Sequence, residues 1–150
     1  MEIIIIDDQV SMKLENKIIG KLVKLILKKE NIITDEVILN FVNEQKIKEL
    51  HLKYFNDPTL TDCISFPIDS PNEKVNHHVL GEVFICPATA LKYAKTHKKD
   101  PKSELALYII HTILHLIGYD DIKENDIKIM REKEKQYLSL YEKYNIKKLG

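Results

Sequence analysis

The chain has 150 residues, of which 44% are hydrophobic and 31% charged, and this size and composition suit a single globular domain over residues 1–150. Its 23 basic side chains balance 23 acidic ones, so no overall field attracts the chain to nucleic acid or to an anionic membrane. No apolar run approaches the roughly 20 residues that span a bilayer, so no transmembrane helix is predicted.

The N-terminal residues favour a cytoplasmic location, and the cysteines give no sign of a disulfide or zinc framework. Residues 2–8 are isoleucines flanked by acidic side chains, without the basic start and small-residue cleavage site of a signal peptide. Cys63 and Cys86 lie outside any Cys-x-x-Cys motif, so neither a disulfide framework nor a thiolate zinc site is expected. Both cysteines are interpreted as small buried side chains.

Strands and helices alternate through the first half of the chain. β-branched residues dominate Glu2–Ile6, which predicts a strand buried on both faces inside a sheet. Apolar residues at helical spacing, with lysines between them, predict an amphipathic helix over Met12–Lys29. A second strand is predicted over Asp35–Phe41 and a second helix over Glu44–Tyr54.

Two more strands and three helices are predicted in the second half. Thr61–Phe66 has strand propensity and ends at a proline, which predicts a short edge strand, and Leu80–Cys86 predicts another strand. Pro87 then begins a helix that closes in a basic stretch. Glu104–Ile117 is apolar almost all round and is the predicted central buried helix, and a charged amphipathic helix follows over Asn125–Tyr144.

Two histidines on the central helix carry the main chemical signal. His111 and His115 are four residues apart, so their rings lie on one face, separated by about 6 Å along the axis, and can reach one ion. Gly118 can end the helix in a left-handed conformation, and Asp121 can then return a carboxylate to the same point. Two nitrogens and one oxygen with an open fourth position are typical of catalytic zinc sites. We therefore predict that these three side chains bind a metal ion.

The same pattern allows two other interpretations. Each histidine taken alone can be a core residue whose ring bonds a backbone carbonyl. Zinc peptidases also use a His-x-x-x-His helix, but there a glutamate general base follows the first histidine, and this chain has Thr112 at that position. A peptidase would therefore lack its proton acceptor, whereas a metal with a lowered-pKa water can still attack a phosphodiester.

The stretch from His111 to Asp121, His-Thr-Ile-Leu-His-Leu-Ile-Gly-Tyr-Asp-Asp, closely resembles the signature of the YbeY family of bacterial rRNA-processing endoribonucleases. Thr61–Pro67 is similar to the family's Thr-Asp-Val-Leu-Ser-Phe-Pro segment, and Leu80–Pro87 to its Leu-Gly-Asp-Ile segment. The resemblance implies an α+β fold whose small mixed sheet packs with helices, and a zincin-like metal site on the central helix. It also implies zinc held by three histidines, cleavage of single-stranded RNA, and a role in 16S rRNA 3′-end maturation and ribosome quality control.

Two positions depart from the family pattern. Asp121 stands where the family has its third histidine ligand, and a carboxylate is an ordinary zinc ligand that adds a negative charge. Phe55 stands where the family has an arginine thought to hold phosphate, and Lys53 is either its substitute or a solvated helix lysine. Asp120 either accepts a hydrogen bond from a ligand histidine or caps the turn, and together with His111 it is a predicted catalytic residue.

The predicted function is a zinc-dependent endoribonuclease that acts on rRNA, with the small ribosomal subunit as partner and no DNA or membrane partner. The predicted RNA-binding residues are Lys53, Ser65, Lys98 and Lys99, and the alternative for the basic stretch that contains the last two is a solvated helix end. The alternative function is a catalytically weak ribosome-assembly factor that binds metal and RNA, which the loss of the arginine at Phe55 favours.

Overall fold

A computed structural model describes residues 1–146 of the chain and the side chains of residues 1–143. It is an α+β fold, as predicted, in which four strands and five helices follow one another within the described range. In chain order these are β1 (Glu2–Asp8), α1 (Asn16–Lys29), β2 (Glu36–Val42), α2 (Glu44–Phe55), β3 (Cys63–Pro67), β4 (Val79–Ile85), α3 (Pro87–His97), α4 (Pro101–Leu116) and α5 (Glu124–Ile146).

The four strands form one mixed sheet in the order β1-β2-β4-β3. Strands β1, β2 and β4 run parallel, and β3 pairs antiparallel with β4 at one edge, which confirms the predicted mixed sheet and the predicted edge strand. The predicted strand β1 is confirmed, but its predicted place inside the sheet was wrong, because β1 forms the opposite edge and Ile6 is 46% exposed. Isoleucine favours a strand at any position, and only Ile3 and Ile5 pack against the core.

The first helix begins four residues later than its apolar pattern predicts. The side-chain amide of Gln9 bonds both the backbone N–H and the carbonyl oxygen of Met12, at 3.1 and 2.7 Å. These bonds close a turn, so Met12 and Leu14 reach the core from a non-helical segment.

Helix α4 is the central helix that the sequence predicts. Asp100 caps it by accepting a hydrogen bond from the backbone N–H of Ser103 at 3.0 Å, and Ile110, Ile113 and Leu114 along it are fully buried. The helix packs on the sheet so closely that a Cβ atom at Gly81 would meet a Leu116 methyl carbon at 2.5 Å. Glycine at that position therefore lets the helix lie directly on β3 and β4.

Helix α5 covers α4 through a stripe of buried side chains at helical spacing, Met130, Glu134, Tyr137 and Tyr141. Both cysteines are free thiols, as predicted, with Cys86 fully buried and Cys63 half-buried. Within residues 1–146, no helix combines the length and the apolar character needed to cross a membrane.

Candidate metal centre

Helix α4 and the turn after it bring together the three side chains predicted to bind metal. The Nε2 atoms of His111 and His115, one helical turn apart, are separated by 3.0 Å. Gly118 then adopts a φ of +108° and ends the helix. The following turn returns Asp121, whose Oδ2 lies 3.7 Å from the His111 nitrogen and 3.5 Å from the His115 nitrogen.

These three atoms fit one divalent ion. Tetrahedral zinc ligands about 2.0–2.1 Å from the ion are about 3.3 Å from one another, and the three observed separations of 3.0, 3.5 and 3.7 Å bracket that value. The histidine side chains are 23% and 25% exposed, which leaves the remaining coordination positions accessible from outside.

The outer nitrogens of both rings fix which nitrogen faces the centre. His115 Nδ1 lies 3.0 Å from the carbonyl oxygen of Tyr119, and since a carbonyl only accepts, Nδ1 carries the proton. His111 Nδ1 donates in the same way to Glu134 Oε2 at 2.5 Å. In the neutral rings both Nε2 lone pairs then point toward each other and toward the Asp121 carboxylate. Three electron-rich atoms converge on one point, which is the arrangement that a cation stabilises.

Glu134 is the principal site residue that the sequence analysis missed. Its side chain is only 7% exposed, and Arg131 Nη1 donates to both of its carboxylate oxygens at 2.6 and 2.8 Å. Burial favours the neutral acid, but the hydrogen bonds from His111 and Arg131 outweigh it and hold the pKa of Glu134 below its usual range. An ionisable residue inside the apolar stripe between Met130 and Tyr137 was the available signal.

Asp120 forms a hydrogen bond within the turn after α4. Its side chain is exposed, and Oδ1 accepts a hydrogen bond from the backbone N–H of Asp121 at 2.8 Å, so it caps the turn. The rings of His111 and His115 are instead held by Glu134 and Tyr119. The reason is the packing of α5 on α4, which brings a carboxylate from a distant part of the sequence to His111.

A further, half-buried cluster holds Tyr119, whose carbonyl oxygen accepts a hydrogen bond from His115 Nδ1. The Tyr119 hydroxyl donates to Glu30 Oε1 at 2.6 Å, and Lys133 and the Tyr137 hydroxyl both donate to Glu30 Oε2. Burial alone would raise the pKa of Glu30, but these donors lower it below its usual value. The end of α1 is thereby tied to the turn that carries the third candidate ligand.

Two cavities border the centre and meet at His111. The first encloses about 350 Å³ and the second about 470 Å³. Thr61, Cys63 and His111 line both. The first is also lined by His51, Phe55, Ile64, Ser65, Pro67, Thr112 and His115, and the second by Asp62, Tyr93, Glu104, Leu107, Tyr108, Asp121, Arg131 and Glu134.

The two cavities differ in charge. No carboxylate lines the first among the described residues, whereas four line the second, from Asp62, Glu104, Asp121 and Glu134. Burial raises the pKa of Asp62, although the nearby His111 opposes the shift. Burial also raises the pKa of the Cys63 thiol above its usual value.

Ser65 and Lys53 are two of the predicted RNA-binding residues, and of the two only Ser65 lines the first cavity. Ser65 lines the cavity, and its hydroxyl donates to the Thr112 carbonyl oxygen at 3.1 Å. Lys53 lies in the last turn of α2, with Nζ 5.2 Å from the centroid of the Tyr54 ring.

Lys98 and Lys99 lie between α3 and α4. Lys98 is the left-handed cap of α3, with a φ of 55°, and Lys99 Nζ is 5.7 Å from the centroid of the Tyr93 ring, which lines the second cavity. Two neighbouring lysines are already paired, since Lys92 and Lys102 each lie 2.8 Å from a glutamate oxygen. The positive charge available on the surface around α3 and α4 is therefore smaller than the number of lysines there indicates.

The fold and site together define a class: α+β proteins that carry an open, three-ligand candidate metal centre on a buried central helix. The sequence model for Endoribonuclease YbeY matches residues 3–142. The chain is 44% identical to the Endoribonuclease YbeY of Protochlamydia amoebophila over 140 residues, which is 93% of each chain. It is 39% identical to that of Chlamydia pneumoniae over 128 residues, covering 83% of this chain and 81% of the relative.

A solved structure agrees with these sequence matches. The solution structure of a Thermotoga maritima protein matches with a TM-score of 0.66 and 27% sequence identity, over 98% of this chain and 94% of that one. The chain therefore belongs to the Endoribonuclease YbeY family.

Proposed function

We propose that this protein is a zinc-dependent endoribonuclease that cleaves single-stranded RNA, acting in 16S rRNA 3′-end maturation and ribosome quality control with the small ribosomal subunit as its partner. Membership of the family supports the endoribonuclease activity. The observation that carries the metal dependence is the convergence of His111, His115 and Asp121 on one point. Zinc suits this set because it accepts imidazole nitrogen and carboxylate oxygen at equal distances and keeps a further position open.

Each residue has a role in this proposal. When bound, the ion supplies a Lewis acid that polarises a phosphoryl oxygen and lowers the pKa of a water ligand. His111 and His115 present their Nε2 lone pairs, because their Nδ1 protons are engaged by Glu134 and Tyr119. The charge on Glu134 makes the His111 ring a better donor to the metal.

The residue after the first histidine favours a nuclease over a peptidase. Thr112 is 1% exposed, and its hydroxyl donates to the Ile109 carbonyl oxygen at 2.8 Å. This hydroxyl is turned into the helix, where it has no access to a reacting water. A peptidase of the His-x-x-x-His type needs a glutamate base at this position.

RNA would cross the centre from one cavity to the other. Ser65 contributes a polar group on the wall of the first cavity, and Lys53, Lys98 and Lys99 attract the phosphate backbone from outside. Asp120 contributes by holding the turn that carries Asp121. No arginine or lysine lines the first cavity among the described residues, and this observation favours the alternative of an assembly factor that binds metal and RNA but cleaves weakly.

Cleavage of a single-stranded RNA carrying the 16S rRNA 3′ end distinguishes these functions. Zinc-loaded protein is expected to cut it, and chelation or His115→Ala to abolish the cut, while His77→Ala leaves it unchanged because that histidine is exposed and distant in sequence from the centre. RNA binding without cleavage by the zinc-loaded protein would instead support the assembly factor. Cleavage that survives both chelation and His115→Ala would refute the metal-dependent function.

A further inference from the structure

A cluster of aromatic side chains lies exposed at the end of α2, beside the metal centre. Tyr54 is 54% exposed and Phe55 is 52% exposed, in adjacent positions of the last helical turn. Isolated exposed apolar residues are ordinary in proteins, but neighbouring rings that contact one another form a patch, and such patches commonly bind a ligand.

The rings are held in place from the sheet side. Phe66, on the edge strand β3, lies 5.1 Å from Tyr54 in an edge-on contact and 6.2 Å from Phe55 with the planes 27° apart. Phe84 on β4 packs edge-on against Phe66 at 5.8 Å. The surface is therefore a fixed group of three rings, which we call the aromatic platform (Tyr54, Phe55 and Phe66).

The platform continues the wall of the first cavity. Phe55 lines that cavity together with His111 and His115, and His51, one helical turn earlier, contacts the Phe55 ring at 5.7 Å and also lines it. A molecule in the first cavity therefore lies beside the Phe55 edge of the platform.

The charges around the platform suit a polyanion with aromatic bases. Lys53 Nζ lies 5.2 Å from the Tyr54 ring, which places a cation at the platform's edge. The first cavity lacks carboxylates among the described residues, whereas the second has four. A phosphate backbone is thus repelled less on the platform side.

We propose that the aromatic platform stacks unpaired bases of the RNA on the α2 side of the metal centre, while Lys53 contacts the adjacent backbone. The identity of the ligand as RNA rests on the proposed function. The faces of bases are available for stacking only where the strand is unpaired, so the platform would make the protein prefer single-stranded RNA over a duplex.

Binding of an eight-nucleotide RNA that carries 2-aminopurine tests the proposal, because stacking quenches this fluorescent base. The full-length protein is treated with EDTA so that the RNA is not cut. Phe55→Leu and Tyr54→Leu keep apolar bulk but remove a ring, and each is expected to weaken binding roughly 5- to 150-fold and to reduce the quenching. Phe55→Trp keeps a ring and is expected to retain both. Leu52→Ala is the matched control, since Leu52 is 49% exposed on the same helix outside the platform.

Three results would overturn the proposal. One is unchanged affinity and quenching in both leucine variants, and another is an equal loss of affinity for single-stranded and duplex RNA. The third is a loss of RNA affinity in Leu52→Ala as large as the loss in Phe55→Leu. Cleavage that depends on His115 while the leucine variants bind normally would refute the platform and leave the nuclease intact. Wild-type protein that neither binds nor cuts RNA would refute the proposed function itself.

Discussion

Replacing Glu134 with glutamine removes the negative charge behind His111 and keeps the size of the side chain. The present contact is short, 2.5 Å between Oε2 and Nδ1, and the carboxylate is 7% exposed and bonded by Arg131. Outer carboxylates of this kind change metal affinity by about 10- to 100-fold, or about 1.4–2.7 kcal/mol. We expect Glu134→Gln to fall in the upper half of this range, since short buried hydrogen bonds to a charged acceptor are the strong ones.

Competition with a chromophoric zinc chelator at neutral pH measures this affinity. Glu132→Gln, an exposed position two residues earlier on the same helix, provides the control and should bind zinc like the wild type. Glu134→Ala should lose at least as much affinity as Glu134→Gln, because the His111 Nδ1 proton then has no acceptor. Zinc affinity in Glu134→Gln within twofold of the wild type would refute the argument that this carboxylate orients the ring.

Three other outcomes follow from the geometry. Zinc at 100 times its dissociation constant should stabilise the protein by about 2.7 kcal/mol and raise its melting temperature by roughly 5–10 °C. A melting curve of the zinc-loaded protein that EDTA leaves unchanged would contradict this. Lys98→Glu combined with Lys99→Glu should weaken RNA binding and flatten its salt dependence, and an unchanged slope would identify the two lysines as a solvated helix end. Because the pKa of Glu30 is lowered in the fold, its carboxylate stabilises the protein above the ordinary pKa of about 4.5. The free energy of unfolding lost in Glu30→Gln should therefore be largest at pH 7 and shrink as the pH falls below about 4.5, and denaturant unfolding above and below that pKa measures the difference.

Local patterns made much of the fold and the candidate centre predictable. His111, His115 and Asp121 lie within one helix and its following turn, so helical geometry and a single glycine bring them together. The central helix and the edge strand β3 were equally evident from apolar runs and prolines. These features depend on neighbours in sequence, whose relative positions are nearly fixed by backbone geometry.

Features that depend on distant contacts were not predictable in the same way. Glu134 meets His111 only because α5 folds back along α4, and its sequence neighbours make it look like one more charged surface residue. The apolar run of β1 identifies a strand, but the order of strands in the sheet decides that it lies at an edge. The start of α1 depends on the Gln9 side chain, which competes with the helix for the backbone of Met12.

The metal content of the purified protein tests the central claim most directly, measured as ions per chain in the wild type and three variants side by side. The wild type is expected to hold one zinc ion, Asp121→Ala to hold far less than one, and Asp120→Ala to hold one, since Asp120 only caps the turn. Asp121→His, which restores a third nitrogen donor, should hold one as well. Full zinc occupancy in Asp121→Ala, or its loss in Asp120→Ala alone, would contradict the assignment of Asp121 as the third ligand.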